Sequence, residues 1–292
     1  IFYRLQAIKL LNKFPDLAEK HFTEIYPFIM SLDRNVTDEH NLIVEWTKHD
    51  MNELVSVLSH FKHLEKAWGI EHIKEVLFQM LMSKTEAEQK LSLQCLLNLN
   101  NTTYNKYQTE LESLLDNTLF RDTVVRFLQN DSMTLSEEDV SVVMPVVIRI
   151  LFGRSLVAAT NGTNRGRKTA AISAVNGLSP TYITQFLELS FVSLDFSVFF
   201  GNDKKIELES VDKKLLRNIN GFLHTATTIS QSLKLRHVEC FEVLIKPIIY
   251  SLAVSEVVIS SDDGEFMIDE VLRKIAHNNR KLGFRLLYNI TD

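Results

Sequence analysis

Apolar residues recur along this chain at three- and four-residue spacings, and little interrupts them. Met51, Leu54, Val55, Leu58 and Phe61 stand at offsets 0, 3, 4, 7 and 10, the stripe that one face of a 3.6-residue helix presents. Ile73, Val76, Leu77, Met80 and Leu81 repeat it, as do Tyr104, Tyr107, Leu111, Leu114 and Leu115, and then Phe120, Val124, Phe127 and Leu128. Val140, Val143, Met144, Val147, Ile148 and Leu151 continue the series. The pattern returns from Ile183 to Phe191, from Val211 to Phe222, from Phe241 to Leu252 and from Ile268 to Ile275. Only 9 glycines and 5 prolines occur in 292 residues, too few for the turns of a sheet protein this long. The fold class is all-α.

Helix centres between residues 50 and 155 recur about every 15 to 20 residues, so a pair recurs at roughly 35 to 40, near the range of helical repeats. The expected architecture is a HEAT-like α-solenoid, a superhelical stack of antiparallel helix pairs. Residues 1–292 read as a single segment of a longer chain, opening on Ile1-Phe2-Tyr3-Arg4 already in helical pattern. Tyr26-Pro27, Met144-Pro145 and Lys246-Pro247 each begin a similar apolar run. A proline there kinks a helix, and its return suits every third repeat of such a stack. Apolar residues make up 45%, enough for a continuous core. No stretch holds the ~18 uninterrupted apolar residues of a membrane span. Cys95 and Cys240, each in an apolar run, read as buried thiols of a reducing compartment.

Charge is uneven. Between Asp139 and Glu188 there are 48 residues without a carboxylate, carrying Arg149, Arg154, Arg165, Arg167 and Lys168. The chain as a whole has net charge −5, so everything outside that window sums to −10. Asn161-Gly162-Thr163-Asn164-Arg165-Gly166-Arg167-Lys168 is too polar and glycine-rich to continue a helix, and a basic loop is predicted over 158–168. Unopposed guanidinium groups make charge-assisted bonds with phosphate. Arg154, Arg165, Arg167 and Lys168 are therefore the candidate RNA or phosphate contacts; the competing reading is a solvated loop complementing a helix end. Arg149, inside an apolar run, reads as a buried or snorkelling structural partner.

No catalytic pattern emerges. The basic segment fails as a P-loop, because three residues separate its glycines and it follows a helix rather than a strand. His60, His63 and His72 offer a weak metal reading beside the more ordinary one of exposed helix histidines. No Gly-x-Ser-x-Gly or His-Glu-x-x-His occurs. Paired acids such as Glu137-Glu138 suit helix starts. An acidic turn over 260–265 reads as a cap for the helix that follows, with Ser260 and Ser261 as candidate targets of an acid-directed kinase. No cofactor, metal or small-molecule substrate is expected.

The run from Val143 through Met144-Pro145-Val146-Val147-Ile148-Arg149-Ile150-Leu151-Phe152-Gly153 to Arg154 leads into that Gly/Lys/Arg segment. A helix and then Ser179-Pro180-Thr181-Tyr182 follow. Together they resemble the DRIM (down-regulated in metastasis) family of very large HEAT-repeat proteins. Trp46-Thr47-Lys48-His49-Asp50-Met51, Gln89-Lys90-Leu91-Ser92 and Leu119-Phe120-Arg121-Asp122 add to the likeness, which covers residues 44–190 well. One departure is Thr169-Ala170-Ala171-Ile172-Ser173-Ala174-Val175, uncharged where the family carries arginines. The resemblance implies a non-enzymatic, nucleolar scaffold of the small-subunit processome, a U3 small nucleolar ribonucleoprotein assembly needed for 18S ribosomal RNA maturation. Its implied partners are other processome proteins and pre-ribosomal or U3 small nucleolar RNA, with no membrane. The alternative is a HEAT scaffold of another complex, a transport receptor or kinase-associated solenoid, binding protein alone.

Overall fold

The computed structural model describes residues 2–30, 46–129, 135–157, 162–201, 206–233, 238–261 and 270–291. Among them there is no β-strand, and the all-α reading holds: this is a helical-repeat fold. Two compact units divide the chain, residues 1–171 and 172–292. The first contains α1 (Phe2–Lys13), α2 (Pro15–Lys20), α3 (Phe22–Met30), α4 (Lys48–Leu58), α5 (Ile70–Leu81), α6 (Glu86–Leu97), α7 (Thr102–Lys106), α8 (Gln108–Leu115), α9 (Phe120–Val124) and α10 (Glu137–Ser155). The boundary falls inside α11 (Gly162–Asn176). The second unit continues with α12 (Pro180–Leu189), α13 (Ser197–Gly201), α14 (Lys213–Leu233), α15 (Glu242–Ser260) and α16 (Glu270–Thr291).

The apolar stripes face the interior. Leu54, Val55 and Leu58 of α4, Ile73, Val76, Leu77 and Leu81 of α5, and Leu93 and Leu96 of α6 are buried together in the first unit. Each buried Leu, Ile or Val contributes about 1.5–3 kcal/mol of transfer free energy relative to exposure. The stripe over Tyr104 to Leu115 divides between α7 and α8, because the backbone turns at Tyr107. Phe61 lies beyond the end of α4, in the following turn, yet is buried against Phe22. All three echoing prolines sit inside helices, Pro27 in α3, Pro145 in α10 and Pro247 in α15.

The segments most characteristic of the resemblance turn out to be packing devices. Thr47 and Asp50 form a reciprocal capping box at the start of α4, which satisfies two otherwise orphaned backbone donors. Asp50 is fully buried, and Arg4 of α1 donates to its Oδ2 at 2.5 Å while its guanidinium lies 4.9 Å from the Trp46 ring. In α10, Arg149 returns a hydrogen bond to the Pro145 carbonyl at 2.9 Å and covers the Phe78 ring at 4.5 Å. This is the structural role expected of it. Gly153 abuts Gln89 and the Ser83 carbonyl, with the Leu81 carbonyl 3.0 Å from where a Cβ would lie. Glycine is required there because backbone approaches backbone.

A polar staple ties α7 and α8 to α10. Asp139 accepts from Lys106 Nζ at 2.6 Å, Tyr107 Oη at 2.9 Å and Ser136 Oγ at 2.6 Å. The Lys106 and Ser136 bonds hold the Asp139 carboxyl down at about 2.

In the second unit α16 packs against both α14 and α15. Phe222, Leu223 and Ile229 of α14, Leu244, Ile248, Val254 and Val258 of α15, and Leu286 of α16 are buried. The residues Glu239–Ser260 are long and apolar enough to cross a membrane, with mean hydropathy 1.8. Lys246 interrupts them, and the buried α15 side chains show where that hydrophobicity is used: in the core.

Candidate nucleic-acid interface

The predicted basic loop is largely a helix. Residues 158–161 lie outside the described residues, and 162–168 form the first two turns of α11. Propensity misled here because glycine in a helix interior costs only about 1 kcal/mol, less than the packing of the rest of the helix returns. Ala171, Ile172, Ala174 and Val175 are buried, so the helix is anchored downstream. Gly166 serves a second purpose, because the Arg121 guanidinium lies where its Cβ would be.

Arg154 is the clearest correction. It is 2% exposed and turns into the first unit instead of toward solvent. Its Nη1 donates to Asn117 Oδ1 at 2.6 Å, its Nη2 donates to the Leu115 carbonyl, and its guanidinium carbon lies 5.5 Å from the Phe120 ring centre. Those contacts and its burial hold the guanidinium away from the surface where a phosphate would dock. Burial pulls its pKa down, and the like charge of Arg167 adds to that while Glu86 and Asp116 oppose it. The signal was available in sequence: Arg154 follows Gly153 inside the same apolar run as Arg149.

Arg167 joins the same cluster. It also donates to Asn117 Oδ1, and its Nη2 donates to Asn164 Oδ1 at 2.5 Å. Asn117 in turn donates Nδ2 to Glu86, whose other oxygen is 2.6 Å from Lys90. Two guanidinium groups therefore converge on one amide oxygen, and that amide relays them to a carboxylate. Asn117, in the turn after α8, and Arg121, in α9, are the members that sequence reasoning missed, since nothing local distinguishes them before the helices pack. Arg165 is exposed and Lys168 half-buried. The structure thus brings Arg154 and Arg167 together, inward, and leaves Arg165 and Lys168 on the surface of α11.

Other candidates separate. His60 bonds the Ser56 carbonyl at 2.7 Å and His72 the Tyr26 hydroxyl at 3.0 Å, while His63 lies 3.6 Å from Glu65. Among the described residues no cluster of His, Cys, Asp or Glu could hold a metal ion. Cys95 and Cys240 are free and buried, as expected of core thiols, and burial raises both thiol pKa values. Ser260 and Ser261 bond back onto α15: Ser260 Oγ bonds Glu256 at 3.1 Å and Ser261 Oγ the Val258 carbonyl at 2.9 Å. The rest of the acidic turn lies outside the described residues.

Helix pairs stacked on shared cores, with cations arranged on and between them, define a helical-repeat protein. The family described as "U3 small nucleolar RNA-associated protein 20, N-terminal" matches residues 45–292. U3 small nucleolar RNA-associated protein 20 of Saccharomyces cerevisiae is 35% identical over the whole chain, and that of Schizosaccharomyces pombe is 24% identical over 97% of it. The chain belongs to this family, in agreement with the resemblance drawn from its motifs. It spans 12% and 11% of the length of those two relatives.

Proposed function

We propose that this chain is a non-enzymatic scaffold segment acting in ribosome biogenesis, within the small-subunit processome of the nucleolus. There it would support pre-ribosomal RNA processing and 18S maturation. Family membership supports the biological setting, since the two relatives carry U3 small nucleolar RNA association in their names. A helical-repeat fold suits the task, because many weak contacts along such a surface gain from effective concentration.

One observation carries the scaffold reading. Tyr3 and Leu10 of α1, Phe14 at the break between the two helices and Leu17 of α2 are 87%, 56%, 55% and 56% exposed. Large apolar residues left exposed on two successive helices support a protein contact. A local RNA contact through Arg165 and Lys168 is the second part of the proposal. They lie in the first two turns of α11, where the helix dipole also favours an anion. The inward turn of Arg154 and Arg167 favours the rival, protein-only scaffold for this unit.

Leu10→Asp with Phe14→Asp in the full-length protein tests the scaffold reading. Loss of co-sedimentation with pre-ribosomal particles is expected; unchanged sedimentation would overturn the ridge as a contact. RNase treatment separates the two parts: association that survives it points to protein docking alone.

A further inference from the structure

The second unit holds a cationic surface that the charge window at 140–187 does not include. Helices α14 and α16 pack side by side. Together they carry eight Lys and Arg residues and a single carboxylate, Glu270. Two of the eight are engaged by α15 and the residue that ends it. Arg273 Nη2 donates to the Ser261 carbonyl at 2.9 Å, and Arg280 Nη1 lies 3.2 Å from Glu256. Arg217, Lys274, Lys281 and Arg285 are instead exposed.

An open cleft of about 350 Å³ lies between the two helices, lined by Arg217, Asn220, Val271, Lys274, Ile275 and Asn278. Asn220 is held in place by its Nδ2 bond to Asn279 Oδ1 at 2.7 Å, and Asn279 is anchored on the Leu216 carbonyl at 2.9 Å. Lys274 lies 2.7 Å from Glu270, but both are well exposed, and such a pair yields readily to a competing anion. Along α16, Lys274, Asn278, Lys281 and Arg285 fall at spacings of 4, 3 and 4, one stripe of the helix. Phe284 and Tyr288, 59% and 65% exposed, flank the same stripe. On α14 an added Cβ at Gly221 would meet nothing within 4 Å, so the rim beside Asn220 is low.

We propose that the α14–α16 face binds single-stranded RNA. Arg217, Lys274, Lys281 and Arg285 take successive phosphates. Phe284 and Tyr288 supply faces on which bases stack, and Asn220 and Asn278 offer amides to base or ribose edges. An acidic protein segment would use the cations but gain nothing from exposed rings set among them; cations interleaved with aromatics are the pattern of single-strand binding. The proposal rests on the reading of the chain as part of an RNA-bearing assembly, and extends it to a separate unit.

The test uses the full chain, a fluorescein-labelled twenty-nucleotide oligouridylate, and anisotropy titrations at several salt concentrations. Replacing all four cations (R217Q, K274Q, K281Q and R285Q) should weaken binding about a hundredfold at low salt. It should also flatten the slope of log affinity against log salt by about 3. Phe284→Ala with Tyr288→Ala should weaken binding about tenfold and leave that slope unchanged. Circular-dichroism melts confirm that each variant is folded, and Lys281→Gln with Arg285→Gln serves if the fourfold variant is not. Loss of binding only in Arg165→Gln with Lys168→Gln would overturn this face while leaving RNA contact to α11. Polyglutamate competing as well as RNA, with the aromatic variant neutral, would overturn RNA as the occupant. Absence of RNA binding by the unaltered chain would overturn both.

Discussion

Two cationic regions of this molecule look alike on paper and behave differently in three dimensions. Around Asn117, Arg154 and Arg167 turn toward one amide oxygen, and Arg121 lies over Gly166. On the α14–α16 face, Arg217, Lys281 and Arg285 stay exposed, and among the described residues they pair with no carboxylate. The first region spends its charge on holding helices together. The second leaves its charge available to a ligand. A run without carboxylates therefore says that cations are unopposed in sequence, but their direction depends on what packs beside them.

The contrast breaks first at Arg154. Arg154→Ala removes both bonds of a buried guanidinium and strands the Leu115 carbonyl, so a loss of about 3 kcal/mol is expected in denaturant melts. A change below about 0.5 kcal/mol would mean that the cluster is not structural. Gly153→Ala comes next. Its methyl would press on the Ser83 carbonyl and Gln89, and overpacking of this kind costs about 2 kcal/mol. Normal stability in that variant would show that α10 can shift away without penalty.

Acid sharpens the comparison further. Asp139 is held at about 2 by Lys106 and Ser136, below the ordinary carboxylate value near 4. The stability it contributes is fully present above about 4 and is lost as pH falls toward 2. Asp139→Asn should remove that part of the acid dependence, seen as a shallower decline of melting temperature between pH 4 and pH 2. An unchanged decline would assign it to other carboxylates such as Asp116, also held at about 2. The smallest effect is expected on the second region: Lys281→Gln with Arg285→Gln should move stability by no more than about 0.5 kcal/mol. A larger loss would place those side chains in the fold and end the contrast.

Legibility followed the same division. The structural role of half-buried Arg149 was readable because a charge inside an unbroken apolar run has few places to go. Arg154, five residues on in that run, was open to the same logic. The helical state of residues 162–168 was not readable, since Gly162 and Gly166 argue locally against it and only the burial of Ala171 and Val175, with the seat that Gly166 offers Arg121, reverses the balance. Asn117 could not be found at all, because its importance lies in two arginines reached from 37 and 50 residues away. The α14–α16 surface left a trace in sequence, 21 residues between Glu270 and Asp292 without a carboxylate.

Periodicity alone determined that the chain is all-α and which faces of its helices are buried, because that information is repeated every three or four residues and survives local error. Tertiary structure alone decided which cations point inward, where glycine is obligatory and how the polar staples connect. Those outcomes depend on a few contacts between residues distant in sequence, each decided by a balance of a few kcal/mol.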